Sequence, residues 1–109
     1  MVPAGGTAVI STGLCFEIPD GFCIKAHSRS GHGFKFGVRL ANCTGIIDSD
    51  YRGELKLKLK NDSNAPLNIV AGERIAQIEV AEVIQGSFVE ASTLSTTVRG
   101  DGGFGSTGA

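Results

Sequence analysis

The chain has no tryptophan, one methionine, one tyrosine and three prolines. It has no apolar run near the roughly 20 residues that span a bilayer as a helix, and its first residues lack the basic and apolar regions of a secretory signal. These absences predict a soluble intracellular protein, cytoplasmic or of another internal compartment, with no membrane partner. Cysteine is scarce too: Cys15, Cys23 and Cys43 are odd in number and show neither Cys-x-x-Cys nor a Cys/His zinc spacing. In a reducing compartment they are expected to be buried free thiols rather than disulfides or metal ligands. Charge of one sign is also missing, because 10 basic residues face 11 acidic ones for a net charge of -1. A nucleic-acid partner requires a basic field, which this balance does not supply. No segment of helical length repeats its apolar residues every 3.6 positions.

What is present is period-two alternation and 16 glycines in 109 residues, a length that suits one domain. Leu14, Phe16 and Ile18 alternate with Cys15 and Glu17 up to Pro19-Asp20-Gly21, and Phe22, Ile24 and Ala26 alternate beyond it. That pattern predicts a hairpin. Phe34, Phe36 and Val38 predict a further strand. Leu55, Leu57 and Leu59 on one face and Glu54, Lys56, Lys58 and Lys60 on the other predict a half-solvated antiparallel strand, its lysines serving as solvated charge or edge protection. After a break at Asn61–Pro66 and a turn at Gly72-Glu73, alternation resumes over Arg74–Val80. Many short strands separated by turn signals predict an all-β fold, a jelly roll or β-barrel.

Three stretches carry chemistry. Gly45-Ile46-Ile47-Asp48-Ser49-Asp50-Tyr51-Arg52-Gly53-Glu54 places two carboxylates beside the only tyrosine. Asp-Ser-Asp before Tyr predicts a tight turn, since Asp and Ser bond their own backbone there; the alternative is an extended segment, in which Asp48 and Asp50 share one face. Ser28-Arg29-Ser30-Gly31-His32 is a donor-rich loop in which His32 has no second ligand at metal spacing and reads as a surface or loop histidine. The tail from Arg99 to Gly108 sets Phe104, Ser106 and Thr107 among glycines. Such a segment can turn backbone N–H groups towards an anion, while Arg99 offers a bidentate charge and Phe104 a flat face for a base.

Taken in order, the loop at Ser28–Gly31, Asn42, the Gly45–Glu54 stretch, Arg74-Ile75-Ala76-Gln77 and the glycine-rich tail resemble the trimeric dUTPase family, and more remotely the dCTP deaminases, which lack such a tail. The resemblance implies a distorted β jelly roll over residues 1–92 with a flexible C-terminal arm at 93–109. It also implies a homotrimer whose sites draw on three chains, and hydrolysis of dUTP to dUMP and pyrophosphate with Mg²⁺ held mainly by the triphosphate rather than by side chains. By the same resemblance Asp48 orients the attacking water and Tyr51 packs on the deoxyribose, while Asn42 and the strand backbone at Gly45 and Ile47 read uracil. Arg29, Ser30, Gly31 and Gln77 meet the phosphates, with Arg74 equally suited to a structural ion pair. Arg99, Gly105, Ser106 and Thr107 clamp the terminal phosphate, and Phe104 stacks on the base. The chain departs from the family pattern at Ser28 and His32, and in having no Ala-Gly-x-Asp-Leu segment ahead of the Pro19 turn. An impaired or non-catalytic dUTP-binding trimer therefore stands as the alternative.

Overall fold

Six strands form in the computed structural model, which describes residues 1–105 and Gly108. Strands β1 (Thr7–Ser11), β3 (Val38–Leu40) and β5 (Lys56–Asn61) make one antiparallel sheet in the order β1-β5-β3. Strands β2 (Phe22–Ser28), β4 (Thr44–Ile47) and β6 (Ala76–Glu82) make a second in the order β4-β2-β6. Both enclose one core. Leu57 and Leu59 of β5, Val38 and Leu40 of β3, Ile24 and Ala26 of β2 and Ile47 of β4 all belong to the same buried cluster. Each large side chain there contributes roughly 1.5–3 kcal/mol by leaving water, so this two-sheet core sets the register of every strand that carries the site.

The alternation in β5 holds, with Leu55, Leu57 and Leu59 buried and Lys56 and Lys58 exposed. Its position differs from expectation. β5 is the middle strand, so its lysines protect no edge and are solvated charges on the outer face. Asn61 closes the strand as a fully buried polar residue. Its amide donates to Val2 O at 3.1 Å and Ala65 O at 2.8 Å, and its oxygen accepts from Ser63 N at 3.0 Å and Ser63 Oγ at 2.7 Å.

Two expected strands are corrected. The turn before β2 exists, with Phe22 N donating to Pro19 O at 3.2 Å. Leu14–Ile18 forms no hairpin arm, because its backbone crosses to the other sheet: Leu55 N donates to Leu14 O at 2.8 Å, and Thr12 N to Leu55 O at 3.3 Å. β2 pairs instead with β4 and β6. Alternation reports an extended chain but does not choose its partner. The Phe34–Phe36 stretch is not a strand either, since His32–Phe36 forms a π-helical turn and β3 begins only at Val38. Gly37 stops that turn at φ 68°, a left-handed conformation natural to glycine, and its N–H returns to Gly33 O at 3.2 Å.

The three cysteines are free, as expected, but only Cys23 is buried; Cys15 and Cys43 are exposed. Beyond β6 no further strand forms among the described residues, and Ile84, Phe88, Val89, Leu94 and Val98 are exposed. The radius of gyration is 19.0 Å, against about 13 Å for a compact domain of this length. Much apolar surface of the chain therefore has no cover within it. No helix is long and apolar enough to cross a membrane among the described residues.

Candidate active site

The site grows from the end of β4. Pairing with β2 sets Gly45 opposite Ala26 and Ile47 opposite Ile24. Ile47 enters the core, and the chain then leaves the sheet. Tyr51 N donates to Asp48 O at 3.1 Å and Arg52 Nη1 to Ser49 O at 2.7 Å, which closes a turn over Asp48–Tyr51. The turn is thus the conformation adopted, in keeping with the turn chemistry of the sequence, and Asp48 and Asp50 do not share a strand face. Asp-Ser-Asp supplies the local backbone bonding that favours it.

Asp48 and Tyr51 line a cleft of about 490 Å³ together with Asn42, Gly45 and Ile47. These five sequence-predicted residues are brought together in one chain. Asn42 is fixed by the turn between β3 and β4, where Cys43 N donates to Leu40 O at 3.1 Å and Thr44 N to Asn42 O at 2.8 Å, with Cys43 at φ 66°. Its side chain lies over Gly45: a Cβ added there would stand 3.3 Å from Asn42 Nδ2. Tyr51 is placed by a bond from its hydroxyl to Glu54 O at 2.8 Å and by the bare backbone of Gly53, where an added Cβ would come 2.5 Å from Tyr51 Oη.

Glu54 and Gly53 are the residues sequence reasoning passed over. The Glu54 carboxylate accepts from Ser11 Oγ and, at 3.0 Å, from Gly13 N. The Ser11 bond, then the Gly13 bond, hold its carboxyl below the usual value against the opposing effect of burial. This ties the end of β1 to the rim of the cleft. No signal in the sequence links residues so far apart, whereas the glycine beside the only tyrosine was a visible one.

The other predicted residues lie elsewhere. Arg29 follows β2, and Ser30 and Gly31 lead into the π-helical turn. Gln77 is opposite His27 in the β2–β6 register, and its Nε2 donates to Ser28 O at 2.9 Å. It lines a second cleft of about 520 Å³ with Ile10, Val70, Glu73, Arg74 and Ile78. Arg74 makes no ion pair among the described residues. Arg99 Nε donates to Gly102 O at 2.6 Å, and Phe104 is wholly exposed at φ 52° and Gly105 sits at φ 83°. None of these three lines either cleft. Ser106 and Thr107 lie outside the described residues. His32 is in the helical turn rather than free on the surface, bonded through Nε2 to Glu73 Oε1 at 3.2 Å. Among the described residues no three His, Cys, Asp or Glu side chains converge as a metal site.

The dUTPase family model matches residues 1–108. The deoxyuridine 5'-triphosphate nucleotidohydrolase of Nautilia profundicola is 48% identical over 108 residues, 99% of this chain and 76% of that protein. The protein of the same name from Beijerinckia indica is 48% identical over 104 residues, 95% of this chain and 65% of its own length. Among solved structures, the Staphylococcus bacteriophage 80alpha dUTPase with dUPNHPP matches with a TM-score of 0.81 at 26% identity, over 99% of this chain and 79% of that one. The dUTPase from Streptococcus mutans matches with a TM-score of 0.71 at 28% identity, over 78% of this chain and 73% of that one. With its sequence matched over nearly its whole length and its two-sheet fold matched in solved structures, the chain belongs to the dUTPase family.

Proposed function

We propose that the chain hydrolyses dUTP to dUMP and pyrophosphate, which limits uracil entry into DNA and supplies dUMP. The observation that carries this reading is the single cleft in which Asn42, Gly45, Ile47, Asp48 and Tyr51 meet. Uracil lies along β4, where backbone groups at Gly45 and Ile47 and the Asn42 amide meet its polar edge. A wrong base leaves buried polar groups unpaired and is rejected for that reason. The Tyr51 ring takes the deoxyribose and leaves no room for a 2′-hydroxyl. The Asp48 carboxylate aligns a water and accepts its proton as the water oxygen bonds to the α-phosphorus. The bond from that phosphorus to the bridging oxygen breaks, and pyrophosphate leaves with the electron pair.

Arg29, Ser30, Gly31, Gln77, Arg99, Phe104, Gly105, Ser106 and Thr107 complete the site from other copies in a homotrimer. The 19.0 Å radius of gyration and the uncovered apolar residues after β6 support an assembly in which chains cover one another. Residues 93–109 act as an arm that closes over the nucleotide, with Arg99 on the terminal phosphate and Phe104 on the base. Mg²⁺ held by the triphosphate would neutralise part of its charge.

Pyrophosphate release with Mg²⁺ from dUTP, dCTP, dTTP and UTP, measured beside the mass in solution, tests the proposal. Turnover confined to dUTP by a trimer is expected. Tight dUTP binding without turnover would replace it by a non-catalytic nucleotide-binding role, and equal turnover of all four nucleotides would remove the assigned base and sugar contacts.

A further inference from the structure

The loop from Ser28 to Gly37 is fastened at both ends. Ser28 O accepts from Gln77 Nε2 at 2.9 Å and Ser28 Oγ accepts from Leu40 N at 2.9 Å, while Gly37 O accepts from Asp62 N at 2.8 Å. Between these points the backbone, among the described residues, bonds to itself, through Gly33 N to Arg29 O at 3.1 Å and Gly37 N to Gly33 O at 3.2 Å. Among the described residues one hydrogen bond joins this middle stretch to the remainder of the chain, that between His32 Nε2 and Glu73 Oε1 at 3.2 Å.

This pair is not a loose surface contact. The His32 and Glu73 side chains are 12% and 29% exposed, which spares the bond much of the screening that empties exposed ion pairs of value. Glu73 is itself held, since its Oε2 accepts from Val70 N at 3.0 Å and its own N–H donates to Val70 O at 3.1 Å. The Phe36 ring stands edge-on to the imidazole at 6.0 Å between centroids. A carboxylate has no proton to give, so Nε2 carries the hydrogen. The bond therefore joins two stiff bodies: the turn that bears Arg29 and Ser30, and the Val70–Glu73 turn that precedes β6 and Gln77.

We propose that His32 is a positioning residue: by bonding Glu73 it fixes the Arg29-Ser30-Gly31 loop relative to Gln77, so that both meet the phosphate chain of the nucleotide in one orientation. This rests on the dUTP reading above. The consequence is selective, since the loop serves the β- and γ-phosphates while the base and sugar are held in the other cleft.

The test compares binding of dUPNHPP and dUMP to the wild-type chain and to His32→Leu, with the mass in solution checked for each. His32→Leu is expected to weaken dUPNHPP binding about tenfold, the scale of one hydrogen bond to a charged group, and to leave dUMP binding within about twofold. His32→Gln, whose Nε2 amide can also donate to Glu73, is expected to restore most of the loss. A His32→Leu/Glu73→Ala double variant should lose no more than the poorer single variant. Should His32→Leu not fold, His32→Asn, with a side chain too short to span the gap, takes its place. Equal losses for dUPNHPP and dUMP, unchanged dUPNHPP binding, or no rescue by His32→Gln would each overturn the proposal. A wild-type chain that neither binds nor hydrolyses would refute the dUTP reading itself, and the loop's role with it.

Discussion

Gly53→Ala is the substitution whose consequence follows most directly from the geometry. The added methyl would stand 2.5 Å from Tyr51 Oη, 2.6 Å from Cζ and 2.9 Å from Cε1. Carbon contacts are comfortable at about 3.5 Å, so the ring must retreat by about 1 Å. Gly53 does not occupy the left-handed region, so the backbone accepts alanine and the effect is steric alone. The retreat stretches the bond from Tyr51 Oη to Glu54 O, now 2.8 Å. Losing that bond costs about 0.5–1.5 kcal/mol, a modest charge against the fold. The cleft suffers more, because a 1 Å misplacement of a positioning group can cost about 10²-fold in rate. We expect kcat/KM for dUTP to fall by about 10²-fold, the discrimination against UTP to narrow, and Tm to fall by no more than about 12 °C. In a Tyr51→Ala background the added methyl has nothing to displace, so Gly53→Ala should do nothing further. An unchanged kcat/KM in the single variant, or an equal further loss in the Tyr51→Ala background, would refute the reasoning.

Asp48→Asn should lower kcat by about 10²–10⁴-fold, the usual worth of a positioned base, while dUPNHPP binding persists in a calorimetric titration. Asn61→Leu removes four hydrogen bonds of a fully buried amide and should cost about 2–4 kcal/mol in urea unfolding at fixed chain concentration. Asn61→Asp should cost more at neutral pH, because a carboxylate would then face the Val2 and Ala65 carbonyl oxygens, and acidification should recover part of that difference. Glu54 and Glu73 both have lowered pKa values, the first chiefly through the Ser11 bond and the second chiefly through Val70 N–H. Their contribution is full above the unfolded carboxylate value of 4.5 and is lost as pH falls through the lower folded values. Ser11→Ala removes the leading cause at Glu54, so the decline of Tm on acidification should become shallower; an identical acid limb would contradict that assignment.

Period-two alternation made Leu55, Leu57 and Leu59 legible as an inward face, because a strand's side chains repeat every second residue whatever lies beside it. The same rule misplaced Leu14–Ile18 and Phe34–Phe36. Extended backbone can pair with any partner, and the choice of Leu55 over β2 was made by the second sheet. At the site, the residues that meet in one cleft lie between Asn42 and Tyr51, close enough in the chain for one turn and one strand to gather them. Arg29, Gln77, Arg99 and Phe104 were legible as residue types in order, but a single chain does not collect them.

The sequence alone determined the all-β class, the division of β5 into a buried and a solvated face, and the residue set by which the family is recognised. All of these depend on residues near one another along the chain. Tertiary structure decided that β5 is central, that Glu54 fastens β1 to the cleft, and that His32 ties the Arg29 loop to Glu73. Each of those pairings closes a long loop. Its entropy is offset only once a shared core holds both ends, and no local pattern records which ends will meet.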